Sequence, residues 1–336
     1  MRRLASILFI AALSLLIIAL SAWAALALWY RLPMPEWKRG LAAVAFAIIG
    51  AGAIVMVLRG RLLVSSVAFG LVFIGVLVWW TTIAPPKVAD WSPDVARQVT
   101  GRIEGNHITL DGVRNFEWRS DTDFTERWET RDYDLGALRS VDLFMSYWSG
   151  PLMAHMMLSF GFEDGSHLVW SMEVRRRRGS EFSPVADLFK ANPLVIIAAE
   201  ERDVIGVRSN VRAEDVQIYR MKVPADVARG LFVAYVNDAN ELAREPRWYN
   251  SITTNCTTAI VAMMRALGDV IPFDWRLYVN GFAPEYLYDR GALDTSVPMA
   301  ILREKSHIDE RAKRVGLTLE FSSAIREDFP SANDTK

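Results

Sequence analysis

The chain carries a single cysteine, and the residues around it are the ones best placed to do chemistry. In the string Asn250-Ser-Ile-Thr-Thr-Asn255-Cys256-Thr-Thr-Ala-Ile-Val, three residues of capping type, Thr253, Thr254 and Asn255, come directly before an apolar run. Side chains of that type accept hydrogen bonds from first-turn N–H groups, so Cys256 is predicted in the first turn of a helix. Unpaired N–H groups and the positive end of the helix dipole favour a thiolate there. The same N–H groups could hold the oxyanion of an attacked carbonyl. Against this stands the common fate of a lone cysteine, which is to be an inert, buried small hydrophobe.

A thiolate needs a base, and His155 is the candidate. Over 154–175, Met156, Leu158, Phe160 and Phe162 alternate with His155, Met157, Ser159 and Gly161. After Glu163-Asp164-Gly165, Leu168, Trp170, Met172 and Val174 alternate with His167, Ser171, Glu173 and Arg175. Two alternating runs about an Asp-Gly turn predict a β-hairpin. A three-residue loop with Gly165 in the left-handed conformation pairs Phe162 with Ser166 and so puts His155 opposite Glu173. It also gathers the polar residues of both strands on one face, as a sheet with one buried face requires. A carboxylate opposite an imidazole fixes its tautomer. Cysteine, histidine and carboxylate together are the parts of thiol-based acyl transfer. His167 is a rival for the orienting role, but it lies near the turn.

Other elements must carry these groups. Arg102–Leu110 and Val113–Arg119 read as short strands about turns at Gly105-Asn106 and Asp111-Gly112, and Arg139–Trp148 as a longer one. Val195–Ala199 and Val216–Val223 are apolar strand-like runs. Pro224 opens a helix to about Arg244, Thr254–Leu267 forms a second stopped by Gly268, and Ser296–Val315 reads as a third, amphipathic one. Arg175–Arg178 reads as a solvated loop rather than a lipid-phosphate site, and Glu201-Arg202-Asp203 as a structural ion-pair element. Trp148, Trp170 and Trp248 read as core.

The 336 residues are 51% hydrophobic with a net charge of -1, averages that conceal two solvents. Three apolar runs, Ala5–Tyr30, Gly40–Leu58 and Leu62–Ile83, fill the first 84 residues. About 20 helical residues cross a hydrocarbon layer of about 30 Å, so each run is long enough to span. The Arg59-Gly60-Arg61 turn makes the second and third helices antiparallel neighbours, and Gly50, Gly52, Gly70 and Gly75 could let them approach closely. The balanced charge argues against nucleic acid as a partner. One cysteine and four histidines argue against structural zinc, and no Walker, dinucleotide or metalloprotease motif is present.

From about Asp90 to Val315 the chain resembles the Lnb N-terminal periplasmic domain family, whose namesake is a lipoprotein N-acyltransferase. The resemblance is carried by Val113-Arg-Asn-Phe116, Arg139-Ser-Val-Asp-Leu-Phe144, Ala154-His155 with Ser159-Phe-Gly-Phe162, Ser171-Met-Glu173-Val-Arg175, Glu201-Arg-Asp203, and Tyr249-Asn250 with Asn255-Cys256-Thr-Thr258. It implies an exported, membrane-attached domain and a fold related to papain-like (NlpC/P60-like) hydrolases in permuted order, histidine strand before cysteine helix. By motif, Cys256 is the nucleophile and His155 the base, with Asn255, Tyr249, Ser171 and Arg175 in support. Glu173 as orienter comes from the hairpin register. Three spans ahead of the domain depart from the namesake's membrane arrangement, so the substrate can differ.

The expected architecture is α+β: three N-terminal transmembrane helices over 1–84, a linker over 85–100, a permuted papain-like domain over 101–322 with an antiparallel sheet packed on helices, and a flexible tail over 323–336. The expected location is the inner (cytoplasmic) membrane, multi-pass, with the domain on the periplasmic side. The expected activity is cysteine acyl transfer from membrane phospholipid, with a lipoprotein N-terminus as one acceptor and neither cofactor nor metal. The alternatives are a thiol amidase or peptidase acting on the cell wall, and a non-catalytic binding module.

Overall fold

The computed structural model describes residues 2–327 and divides into two compact units. The first comprises the N-terminal stretch to Pro86 with Ser183–Asn192 and Trp248–Asn250. Its three long helices are α1 (Arg2–Arg31), α2 (Glu36–Leu58) and α3 (Leu62–Thr82), each long and apolar enough to cross a membrane. Close approach differs from the expectation. Gly50 faces Ser21 of α1, where an added Cβ would lie 2.1 Å from the hydroxyl oxygen, whereas a Cβ at Gly52, Gly70 or Gly75 would meet nothing within 4 Å. Phe46, Phe69 and Phe73 fill the interhelical space by ring contact. Trp248, expected in the core of the domain, belongs to this unit, where its indole N–H donates to the Ile83 carbonyl.

The second unit is α+β, built on one twisted sheet. Its strands are β1 (Thr100–Glu104), β2 (His107–Arg114), β5 (Trp128–Asp134), β6 (Leu138–Tyr147), β7 (His155–Phe162), β8 (His167–Val174), β9 (Leu194–Ala199) and β10 (Asp215–Arg220), with a separate pair β3 (Glu117–Trp118) and β4 (Phe124–Thr125). The order is β1-β2-β9-β8-β7-β6-β10, with β5 also on β2, and every pairing is antiparallel except β2 with β9. Gly105-Asn106 is the turn between β1 and β2. Asp111-Gly112, expected as a second turn, is instead a bulge inside β2, with Gly112 at φ +83° absorbing the extra residue.

The β7–β8 hairpin has the register argued from its turn. The Phe162 N–H donates to the Ser166 carbonyl, Gly165 takes φ +81°, and Met157 pairs with Ser171. The expectation of one buried face fails, however, because β7 is buried on both sides. On one side Phe160, Phe162 and Trp170 pack edge-on against Phe232 of helix α6 (Ala225–Arg244). On the other, Phe144, Met157, Val169 and Ile197 pack with Val204, Ile308, Phe321 and Ile325. These come from the short helices α5 (Glu201–Val204), α10 (Asp309–Val315) and α11 (Phe321–Ala324) or, for Ile308 and Ile325, from the residues that cap α10 and α11, with a π-type turn at Val207–Val211.

The polar residues on that second face are therefore sealed in and paired. Glu201 accepts from the Ser159 hydroxyl and from Arg326, which also reaches Asp142. Asp203 takes a two-pronged bond from Arg114 and the Trp118 indole N–H.

Chain ends and connections also depart from the sequence reading. The stretch 85–100 is not a free linker, because Val95 and Val99 are buried and the Arg175 guanidinium donates to the Val95 and Ala96 carbonyls. Nor is 323–327 a loose tail: Ile325 is buried and Arg326 holds two buried carboxylates, while 328–336 lies outside the described residues. The expected helix Ser296–Val315 is broken into α9 (Met299–Ser306) and α10 at His307, which bridges to Gln217 of β10.

Candidate active site

Helix α7 (Cys256–Ala266) begins at the cysteine, as its capping residues dictate. The Asn255 carboxamide oxygen accepts from the Thr257 and Thr258 N–H groups, and the Thr258 hydroxyl accepts from the Asn255 N–H. This reciprocal cap fixes the first turn. It also takes up two of the N–H groups that the sequence reading assigned to an oxyanion, so those two cannot serve one.

β7 brings His155 to the same place. Cys256 and His155 adjoin closely enough that each shifts the other's ionisation, and the Met156 backbone N–H acts on the sulfur in the same sense. The His155 Nε2 lies 2.7 Å from the Ser171 hydroxyl and 3.1 Å from Glu173 Oε1, which itself accepts from Ser171 at 2.7 Å. With Nε2 so engaged, Nδ1 is the ring nitrogen left to meet the sulfur. His167 is remote from this arrangement: it pairs with Gly161 at the far end of the hairpin, and its Nδ1 is 3.0 Å from the Gly165 carbonyl. Arg175 lies elsewhere too, on the 85–100 segment and over the Trp91 ring at 4.7 Å. Tyr249 belongs to the membrane-helix unit, where its N–H donates to the Asn192 carbonyl.

The electrostatics favour an ion pair. Burial pushes the Cys256 thiol up, but the hydrogen bond and charge of His155, the Met156 N–H and the Thr257 hydroxyl bring it below its ordinary value. Burial likewise works against a charged His155, and Arg208 adds to this. The Glu173 charge and the bonds to Cys256 and Glu173 outweigh both and push the imidazole up to about 9. Glu173 ends well below the usual carboxylate range despite burial, held there by His155 and Arg208. The two shifts act in the same sense, each favouring the thiolate–imidazolium form of the pair.

Several members of the site left no recognisable trace in the sequence. Arg208, on the π-type turn, donates to Glu173 at 3.0 Å and to Glu214 at 3.2 Å, and Glu214 accepts from Ser146, the β6 partner of His155. Asn280 joins the two halves: its amide donates to the Ala154 carbonyl and the Thr257 hydroxyl at 2.7 and 2.9 Å, and its oxygen accepts from the Ala154 N–H. One side chain thus binds the residue before the histidine and the residue after the cysteine.

Beside this site is an apolar cavity of about 460 Å³. Its wall includes Met156 and Thr257, which adjoin the histidine and the cysteine in the chain, together with Leu231, Ile260, Val261 and Met264. Among the described residues, Asp215, His307 and Asp309 have the spacing of a metal site, but they lie near the surface and away from the cysteine, and His307 is already paired with Asp215 at 2.7 Å.

Residues 124–281 match the Lnb N-terminal periplasmic domain family. The matched stretch contains His155, Ser171, Glu173, Arg208, Cys256 and Asn280, and it stops at Gly281. With three helices able to span a bilayer and this similarity over 124–281, the chain is a membrane protein with a periplasmic domain. Neither a search of curated proteins nor one of solved structures finds a match.

Proposed function

We propose that the Lnb-type domain is a cysteine acyltransferase, held at the inner membrane by its three helices and taking acyl groups from phospholipid. The observation that carries this reading is the His155–Glu173 pair at 3.1 Å with Cys256 adjoining the ring, set beside an apolar cavity that suits an acyl chain. A buried polar site of this kind costs stability, and an acid–base pair with opposed shifts in acidity is a mark of catalysis. The order of the parts, histidine strand before cysteine helix, agrees with the permuted papain-like relation.

In the first half-reaction the Cys256 thiolate attacks the ester carbonyl carbon. The carbon–sulfur bond forms, the carbon–oxygen bond breaks, and the His155 proton passes to the departing alkoxide. In the second, an amine attacks the thioester, His155 takes its proton, the carbon–nitrogen bond forms and the thiolate leaves. A lipoprotein N-terminus fits as acceptor, because tethering confines both partners to one surface and raises their effective concentration.

The test is to incubate the full-length protein with acyl-labelled phospholipid and record its intact mass. An added acyl group, released by hydroxylamine and absent in Cys256→Ala, is expected. A protein that folds, reacts with iodoacetamide at Cys256 and yet never acquires an acyl group contradicts the reading. A peptidyl adduct formed from cell-wall fragments would assign the same dyad to amide cleavage.

A further inference from the structure

Between α7 and helix α8 (Ala283–Asp289), residues 268–278 form a loop with two opposite characters. Ile271 and Leu277 turn inward and line the cavity beside the cysteine. Val270, Phe273, Trp275 and Tyr278 turn outward, and Val270 and Phe273 are each 79% exposed. Large apolar side chains gathered on one exposed loop, rather than scattered singly, are the mark of an interaction surface.

The polar groups of the loop are already neutralised from within. Arg276 pairs with Asp274 and Asp289 at 2.8 and 2.6 Å, and Asp269 lies 3.4 Å from Arg290. Two backbone carbonyls are capped as well: Arg265 donates to Ile271 and Arg290 to Val270, at 2.7 and 3.0 Å. Satisfying its own charges and carbonyls is what lets backbone enter a medium that offers no hydrogen bonds. A second apolar loop adjoins it. Gly281 donates to the Leu152 carbonyl, and a Cβ there would lie 2.0 Å from the Pro151 oxygen, so the loop carrying the exposed Leu152 and Met153 packs on the chain three residues beyond that segment.

We infer that residues 268–278, with Leu152 and Met153, form a membrane-docking surface that dips into the headgroup–acyl boundary and opens the cavity to lipid. The occupant is a phospholipid bilayer. The aromatic side chains are of the kind that settles at that boundary, and the chain's own spanning helices hold the domain within reach of it. The cavity as an acyl-chain site rests on the acyltransferase reading, whereas the docking itself does not.

The experiment uses the full-length protein with Cys256→Ser, so that an added cysteine is the sole thiol. Phe273→Cys carries an environment-sensitive fluorophore, in vesicles of phosphatidylethanolamine and phosphatidylglycerol with or without acyl-chain spin labels. Val270→Cys is a second reporter, and Glu104→Cys on the β1–β2 turn is the exposed reference. Quenching about threefold stronger at 273 and 270 than at 104, with a blue-shifted emission, is expected of side chains below the headgroups. Emission at 273 and 270 that matches position 104 overturns the inference. So does probe-to-probe energy transfer that rises with protein density without lipid quenching, which would mean that a second copy covers the loop. The Cys256→Ser background separates the outcomes: docking can stand where acyl labelling fails, and the reverse.

Discussion

The Nε2 of His155 lies 3.1 Å from Oε1 of Glu173, and the Ser171 hydroxyl touches both. The carboxylate is held in turn by Arg208. This places the negative charge behind the ring, where it raises the basicity of the imidazole. Replacing Glu173 with Gln keeps the shape and removes the charge. We expect kcat/KM to fall on the order of 10²-fold and the alkaline limb of the pH profile to move down toward the ordinary imidazole value near ~6.5. An unmoved limb would remove Glu173 from the orienting role.

The wild-type profile should be a bell. The Cys256 thiolate is present above its lowered pKa and is lost as pH falls through it, so the acid limb lies below the ordinary thiol range. The His155 imidazolium is present below about 9 and is lost as pH rises through that value, which sets the alkaline limb. Because the two groups are coupled, both limbs belong to the pair. Iodoacetamide alkylation of Cys256, followed against pH, reads the acid limb without any substrate.

Asn280 holds strand and helix together through three hydrogen bonds. Asn280→Ala should cost about 1–3 kcal/mol in denaturant unfolding, the usual penalty for stranding buried partners. Beyond stability, the variant should alkylate more slowly at mildly acidic pH, since the sulfur no longer meets the ring in register. Unchanged alkylation in a destabilised variant would make Asn280 a packing residue alone.

The cavity gives a steric prediction. Val261→Trp fills it from α7 and should shift preference toward shorter acyl donors, each excluded methylene costing about 0.8 kcal/mol, or about fourfold in kcat/KM. Competition between long- and short-chain donors measures this directly, and an unchanged ratio would place the chain elsewhere.

Away from the site, Arg326 stands between Asp142 and Glu201, both almost wholly buried. Arg326→Met should cost about 3–5 kcal/mol by stranding those charges. Glu201 is held down to about 2 against its burial, chiefly by Arg326. Its contribution is therefore present above the ordinary carboxylate value and is lost as pH falls toward about 2. The wild type should soften in acid over that window, and the variant should do so less, as thermal melts across pH will test.

Local chemistry was legible in advance and long-range chemistry was not. The Asp-Gly turn fixed the β7–β8 register and so the meeting of His155 with Glu173. The row of capping residues fixed the start of α7. Both are set within a few residues. The second covered face of the sheet was missed because Ser159, Asp142 and Glu201 look solvent-facing until Arg326 is placed among them. Arg208 and Asn280 were missed for a similar reason, since nothing near either in sequence marks it as a partner of residues 35 and 126 positions away. Tyr249 and Arg175 were carried in by motif and belong to other parts of the molecule.

Asn280 also has a consequence for how the protein is made. The cysteine is synthesised after all three spans and the whole of β7, and the clamp that brings sulfur to imidazole follows 24 positions later. Until that amide docks, nothing clamps the residue after the cysteine to the residue before the histidine. The contacts that favour a thiolate thus arise only with completion of the fold.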